Sequence, residues 1–352
     1  MEDEKKIKVG ISIGDINGIG CEVVLKTFED PRMLEFCTPV IFASNKIVSQ
    51  QKKDLGITLN FHGIHSASKS AENKVNVVNV WKEEATIDYG QATPKAGTLA
   101  IRALKAAVKS LKQGEIDLLV TAPINKANIQ SEDFNFPGHT DFLAKELEGD
   151  SLMFMVSRDL KIGLLTDHLA VKDAPGAISS ELVKKKVGII EKSLRMDFAI
   201  RRPKIALLGI NPHSGDQGVI GKEDEEVLRP VIEELSNAGH LVFGPYAADS
   251  FFGSGTHRQF DAVLAAYHDQ GLIPFKTLAF GNGVNFTAGL SQIRTSPDHG
   301  TAYEIAGKGM ADHSSFKEAV FTAIEIFRNR AQFRKLTQRP LVVEKVKKKQ
   351  AS

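Results

Sequence analysis

The sequence predicts an α/β fold of two α/β/α domains with a largely parallel sheet, and two observations predict it. Short apolar runs rich in β-branched residues alternate with helical stretches along the whole chain, the pattern of parallel strands joined by crossover helices. Three of these runs, KIGLLTDH, KIALLGINPH and AVLAAYH, end in a histidine, at His168, His213 and His268. Ligand-binding and catalytic groups gather at the carboxyl ends of strands in open α/β sheets. A length of 352 residues is more than one hydrophobic core usually serves, so two domains are expected.

The elements follow in order. KVGISIG reads as a strand, with a glycine-bearing turn and a helix near Glu22 to Phe28 behind it. PVIFAS is a strand, then comes a helix through Lys52, and VNVVNVW is a strand. The clearest helix is ATPKAGTLAIRALKAAVKSLKQG. Thr93 stands as its N-cap, Pro94 takes the first helical position, where a missing N–H costs nothing, and Gly114 lies beyond its end. IDLLVTAPI, SLMFMVS and KIGLLT return as strands, and a helix runs from about Ser179 to Arg195. KIALLGI is a strand. GKEDEEVLRPVIEELSNAGH reads as one helix whose acidic first turn suits the positive end of its dipole. SSFKEAVFTAIEIFRNRAQF is a last amphipathic helix. No repeat, low-complexity segment or long linker marks a domain boundary.

Hydrophobic residues at 42% and charged residues at 25% are ordinary globular values. A net charge of +2 gives no electrostatic case for nucleic acid or a membrane surface. Two cysteines, Cys21 and Cys37, suggest a reducing compartment rather than a disulfide scaffold. MEDEKKIKVG lacks the apolar core of a signal peptide, and no apolar run approaches the roughly 20 residues that span a bilayer. A cytoplasmic protein is expected, with VEKVKKKQAS a solvated basic tail.

The chemistry-bearing residues cluster in six segments. His168, His213 and His268 read either as hydrogen-bonded histidines at strand ends or as three imidazoles converging on a divalent metal with an open position. They are too far apart in sequence for a short zinc motif, so the convergence is an inference from the sheet. ISIGDINGIGCE is either a tight glycine turn or an anion site at a helix N-terminus, and it is neither G-x-G-x-x-G nor a P-loop. In FPGHTDFLA, Thr140 either caps the following helix or joins His139 in holding a phosphate or carboxylate. NPHSGDQG places His213 in a polar, glycine-rich loop. In YHDQGLIPFK, Asp269 is a second ligand or orients the imidazole of His268 from behind, and Lys276 lies further on. Within GNGVNFTAGLSQIRTSPDHGTAYEIAGKGMAD, Asn285 and Arg294 stand in an extended segment, and the arginine fork suits phosphate or carboxylate.

GDINGIGCE, TAPINKANI, FPGHTDFLA, GINPHSGDQG, GPYAADSFF, AYHDQGLIPFK and TSPDHGTAYEIAGKG occur in the order found in the 4-hydroxythreonine-4-phosphate dehydrogenases of vitamin B6 synthesis. The sequence resembles that family from about residue 8 to 330. HGTAYEIAGKG also looks like the adenosine-side loop of the isopropylmalate and isocitrate dehydrogenases, which reconciles a nicotinamide enzyme with the missing Rossmann fingerprint. The resemblance implies a fold like theirs, with the active site in an interdomain cleft at a homodimer interface and metal ligands drawn from both subunits. The division it suggests is 1–127 plus 280–352 on the cofactor side and 128–279 carrying the metal ligands and dimer contacts. It implies His168, His213 and His268 as ligands of zinc, magnesium or cobalt. His139, Thr140, Lys276, Asn285 and Arg294 become substrate contacts, and Gly300 and Thr301 contact NAD or NADP. Ile16, Asn17 and Cys21 depart from the family's usual GDPAGIGPE, which implies altered turn stiffness. The stretch after Thr58 matches nothing familiar.

The reaction implied is oxidation of 4-phosphooxy-L-threonine to 2-amino-3-oxo-4-phosphooxybutanoate, which decarboxylates to 3-amino-2-oxopropyl phosphate. His139, Lys276 and Asp249 are the candidates for general base, with no assignment among them. A relative acting on 4-phospho-D-threonate or 4-phospho-D-erythronate is the near alternative. A non-catalytic phospho-metabolite binding protein is the distant one. Neither nucleic acid nor membrane is an expected partner.

Overall fold

The computed structural model describes residues 6–131, 134–136 and 138–338. Its strands are β1 (Lys8–Ser12), β2 (Thr38–Ala43), β3 (Phe61–Ile64), β4 (Val75–Asn79), β5 (Leu118–Thr121), β6 (Gly149–Val156), β7 (Lys161–Leu164), β8 (Ile205–Leu208), β9 (Val242–Tyr246), β10 (Ala262–Ala265), β11 (Val284–Leu290) and β12 (Arg294–Pro297). Its helices are α1 (Gly20–Glu29), α2 (Met33–Phe36), α3 (Asn45–Asp54), α4 (Pro94–Lys112), α5 (His139–Glu146), α6 (Ala174–Ala177), α7 (Ser180–Met196), α8 (Arg229–Asn237), α9 (Ala248–Gly253), α10 (His268–Leu278) and α11 (Ser314–Thr337). All twelve strands join one sheet in the order β3-β4-β2-β1-β5-β12-β11-β6-β7-β10-β8-β9.

The two flanks of this sheet are parallel, as expected from the alternation of strands and helices. Its centre is not. β12 pairs with β11, β11 with β6 and β6 with β7, each antiparallel, so strand direction reverses between the halves. The sequence reading does not foresee this seam, because a strand's own residues do not encode the sense of its neighbour. β2 and β5 are buried along their whole length, which is why they read as unbroken apolar runs. The unplaced stretch after Thr58 forms β3 at one sheet edge.

Local chemistry sets the helix limits. Thr93 Oγ1 accepts the Ala96 N–H and Pro94 opens α4, as its sequence requires. Ser179 caps α7 in the same way through the Leu182 N–H. The helix expected over GKEDEEVLRPVIEELSNAGH is instead a π turn at Asp224–Leu228 followed by α8. Pro230 removes the amide that α geometry would direct to Glu226, and the wider turn ahead of it accommodates the loss. The basic tail lies outside the described residues.

One buried ion pair fastens α11 to α7. Arg330 Nε donates to Asp197 Oδ1 at 2.6 Å, and both side chains are almost fully enclosed. Arg330 Nη1 also donates to the carbonyls of Leu290 and Ser291 at the end of β11, so the pair ties both helices to the seam. Removing one partner strands a buried charge, which costs about 3–5 kcal/mol, whereas replacing both with apolar residues costs much less. Arg330→Met therefore lowers chemical-denaturation stability by about that amount, and Arg330→Met with Asp197→Leu recovers most of it. Equal losses in the single and double variants would show that packing, not charge pairing, holds the helices.

Candidate active site

One face of the seam forms the floor of a cleft. The register sets Asn285 opposite Ser296 and Phe286 opposite Thr295. Side chains alternate faces along a strand, so Asn285, Thr287, Arg294 and Ser296 share one side. Met153 of β6, opposite Thr287, joins them. Helix α10 supplies His268, Leu272 and Lys276, four residues apart on one helical face. His139, Thr140 and Asp141 enter from the first turn of α5, and His168 follows β7. The enclosed volume is about 290 Å³.

Arg294 is buried, and among the described residues no carboxylate forms an ion pair or hydrogen bond with it. Its Nε and Nη2 donate to Thr121 Oγ1 at 3.1 and 2.7 Å, and Nη1 donates to Thr287 Oγ1 at 3.2 Å. Burial pushes its pKa down to about 9, which leaves the guanidinium charged at neutral pH. A buried cation without a counter-ion invites an anion from outside. Half-buried His139 adds an Nε2 with neither solvent nor a hydrogen-bond partner. Burial, then the charges of Arg294 and Lys126, hold its pKa well below the usual histidine value, so the ring is neutral. Asn285 Oδ1 and His299 Nε2 are likewise buried and unpartnered. Lys276 Nζ lies 3.5 Å from Asp298 Oδ1. A region holding this many unmet donors and acceptors is built for a polar ligand.

Two of the three strand-end histidines meet here. The rings of His168 and His268 are 6.2 Å apart. Beyond their strands the chain ends stay zipped: Leu165 N donates to Ala265 O, and Thr166 Oγ1 to Ala266 O. Gln270 extends the zipper, accepting the Ala266 N–H and donating to Gly209 O after β8. His268 opens α10 directly rather than entering a loop, and Gly271 lets that helix sit close, since a Cβ there would meet Ile162 Cγ2 at 2.9 Å. Asp269 Oδ1 holds His268 Nδ1 at 2.7 Å, leaving Nε2 available.

His213 does not line the cleft. It is exposed, in a run at left-handed dihedrals from His213 through Gln217. Each non-glycine residue there costs on the order of 1 kcal/mol. Asp224 braces the loop by accepting the Ile210 and Asn211 N–H groups, and Ser214 Oγ donates to Pro245 O. Among the described residues no group of three or more His, Cys, Asp or Glu side chains from one chain could hold a metal ion. Asp249, a candidate base, is exposed on α9 and also does not line the cleft.

Two motif readings are decided by the geometry. α5 begins at His139 with Gly138 in the N-cap position, so Thr140 sits inside the first turn and does not cap it. The residues of the ISIGDINGIGCE turn are buried at the start of α1, which fits the tight-turn reading and leaves no room for an anion. Ile19 N donates to Thr301 O at 3.0 Å, and a Cβ on Gly18 would lie 2.8 Å from that same oxygen. Asp15 accepts from Asn128 Nδ2 and the Tyr303 hydroxyl, so this turn shapes the Gly300–Thr301 loop at the cleft's rim. Thr121, Thr287, Asp298 and His299 are site residues that sequence reasoning did not single out. All four lie in quoted segments, Thr121 in TAPINKANI and Thr287, Asp298 and His299 in the 281–312 stretch, beside residues that carried more obvious chemistry.

Residues 35–323 match the family described as pyridoxal phosphate biosynthetic protein PdxA. The chain belongs to the PdxA family. It is 46% identical over 96% of its length to a 4-hydroxythreonine-4-phosphate dehydrogenase of Bacteroides thetaiotaomicron, covering 94% of that protein. A protein of Oceanobacillus iheyensis named for D-threonate 4-phosphate dehydrogenase activity is 35% identical, over 92% of this chain and 98% of its own. The crystal structure of a 4-hydroxythreonine-4-phosphate dehydrogenase from Burkholderia phymatum superimposes with a TM-score of 0.75 at 34% identity, covering 92% of this chain and 99% of that one. Against the usual PdxA turn, Asn17 stands out. Its amide donates to Gln91 O and Thr93 Oγ1 and accepts the Asp88 N–H, fastening the turn to the 88–93 segment.

The depressed pKa of His139 gives a direct test. Its ring stays neutral in the folded enzyme while the unfolded chain protonates near about 6.5, so this residue costs stability as pH falls below that value. Heteronuclear NMR of labelled histidines, with the His139 signal assigned by its loss in His139→Gln, will show that this imidazole does not titrate between roughly pH 8 and 6. An ordinary titration midpoint for His139 would contradict its enclosure.

Proposed function

We propose that the chain is a metal- and NAD(P)-dependent 4-hydroxythreonine-4-phosphate dehydrogenase that oxidises 4-phosphooxy-L-threonine at its secondary alcohol. The product, 2-amino-3-oxo-4-phosphooxybutanoate, loses CO2 to give 3-amino-2-oxopropyl phosphate. The observation that carries this is a buried guanidinium, without a counter-ion among the described residues, sharing one cleft with a pair of imidazoles. Membership of the PdxA family supplies the reaction class.

Arg294, Lys276, His139 and Thr140 bind the anionic ends of the substrate, and Asn285 offers a further polar contact. Fixing both ends sets the reacting carbon in one orientation before chemistry begins. The Gly300–Thr301 loop at the rim receives the dinucleotide; Gly300 is exposed, with open space where a Cβ would stand. His168 and His268 suit a borderline divalent ion such as zinc or cobalt, because Asp269 already orients one ring and both face the cleft. When bound, the ion would supply positive charge for an oxygen that becomes anionic, and NAD(P) would supply the hydride acceptor. Of the three candidate bases, His139 and Lys276 line the cleft and Asp249 does not.

Completing the ligand set with His213 calls for a second copy of the chain. Exposed apolar side chains flank these histidines: Leu169 and Val171 follow His168, Val219 and Ile220 follow His213, and Phe280, 89% exposed, follows α10. Such a patch beside a charged cleft fits a homodimer interface. We assign 1–127 plus 280–352 to one domain and 128–279 to the other, with the seam between them. No helix among the described residues is long and apolar enough to cross a membrane.

Two measurements test this. Purified enzyme will form NADH or NADPH from 4-phosphooxy-L-threonine, lose that activity in EDTA, and leave 4-phospho-D-threonate untouched. Turnover of the D-threonate alone would shift the assignment to the substrate named for the Oceanobacillus relative, and silence with both would favour a binding protein. Separately, His213→Ala and His268→Ala will each be nearly inactive, yet mixing them will restore up to about a quarter of wild-type activity through hybrid dimers with one intact site. No recovery on mixing would place each site within one chain.

A further inference from the structure

We propose that Thr121 and Thr287 are specificity-determining positioning residues whose hydroxyls hold Arg294 without neutralising it, leaving its whole charge for an oxyanion of the substrate. This rests on the reading that Arg294 binds an anionic end of the substrate.

Among the described residues two arginines are buried, Arg294 on β12 and Arg330 on α11, and the fold treats them in opposite ways. Arg330 is 3% exposed and meets Asp197 at 2.6 Å, an internally neutral pair that fastens helices. Arg294 is 2% exposed, and its side-chain hydrogen bonds among the described residues go only to hydroxyls. A guanidinium offers five N–H groups. Three are spent on Thr121 and Thr287, which leaves one on each terminal nitrogen, the pair that bidentate oxyanion binding uses. Of the described carboxylates lining the cleft, neither substitutes for a counter-ion: Asp298 sits against Lys276, and Asp141 makes no hydrogen bond to Arg294.

The two hydroxyls come from strands on either side of β12. Thr121 ends β5 and Thr287 lies in β11, so sheet hydrogen bonds fix both acceptors before any ligand arrives. A carboxylate at either position would satisfy the same N–H groups and cancel the charge that the substrate needs. A valine would keep the shape and lose the acceptor. Serine would keep the acceptor.

The test is a ladder of Ser, Val and Asp at each position, titrated calorimetrically with inorganic phosphate and, separately, with acetate. Thr121→Ser and Thr287→Ser will bind phosphate within about twofold of wild type. Thr121→Val will weaken it about 10-fold, and Thr121→Asp about 100-fold or more. The larger loss with phosphate than with acetate would mark Arg294 as the phosphate end; the reverse would mark the carboxylate end, and either supports an oxyanion cage. In turnover the same ladder will appear in KM, with kcat changed little. If Thr121→Asp does not fold, Thr287→Asp carries the same comparison. A purely packing role predicts the isosteric valine to be the best tolerated, and valine variants binding phosphate like wild type would overturn the proposal, as would wild type that binds neither anion. A phosphate ladder in a protein that oxidises neither threonine-derived substrate overturns the dehydrogenase reading and leaves the cage. Turnover with a flat ladder does the opposite.

Discussion

Strand β11 lies at the middle of the sheet with an antiparallel neighbour on each side, and the site depends on that arrangement. The strand period of two sends Phe286 and Val284 into the core and Asn285 and Thr287 to the cleft. Its pairing with β12 places Arg294 beside Thr287, and the pairing of β12 with β5 brings Thr121 alongside. A one-residue slip at either pairing would turn Arg294 into the apolar core. The reversed strand direction on the far side then lets β7 and β10 present His168 and His268 to the same space.

The cleft stays polar because the surrounding structure leaves its groups unsatisfied. Elsewhere among the described residues, buried charges are ion-paired, as at Arg330 with Asp197 or Glu22 with Lys26, or collect several hydrogen bonds, as at Asp15 and Asp224. In the cleft, a guanidinium, a neutral imidazole and an amide oxygen are enclosed without charged partners. Leaving them so costs stability that a well-packed core must offset. The left-handed run around His213 is a second cost of the same kind, held by Asp224 and Ser214 at a place that no core residue needs.

Much of this was readable from the chain. Thr93, Pro94 and Gly114 announced α4 because capping and ring geometry are local, and the apolar runs announced the buried strands. Of the histidines at three strand ends, His168 and His268 line the cleft and His213 does not, because its loop leaves β8 away from it. The antiparallel seam was not readable, since pairing sense is settled by distant partners. Thr121 and Thr287 were passed over because a threonine in a strand is ordinarily a β-former, and only the position of Arg294 makes their hydroxyls significant. Pro230 broke an expected helix into a π turn and α8, a local signal that the acidic first turn masked.

The account makes one central claim: a single cleft holds an oxyanion at Arg294 and a divalent ion at paired histidines completed by a second protomer. Crystals grown with cobalt and inorganic phosphate, with data collected at the cobalt edge, address it directly. The account predicts an anomalous peak bound by His168 and His268 of one protomer and His213 of another, with phosphate on the guanidinium of Arg294. A cobalt peak elsewhere, or phosphate bound away from Arg294 while the cleft stays empty, would contradict it.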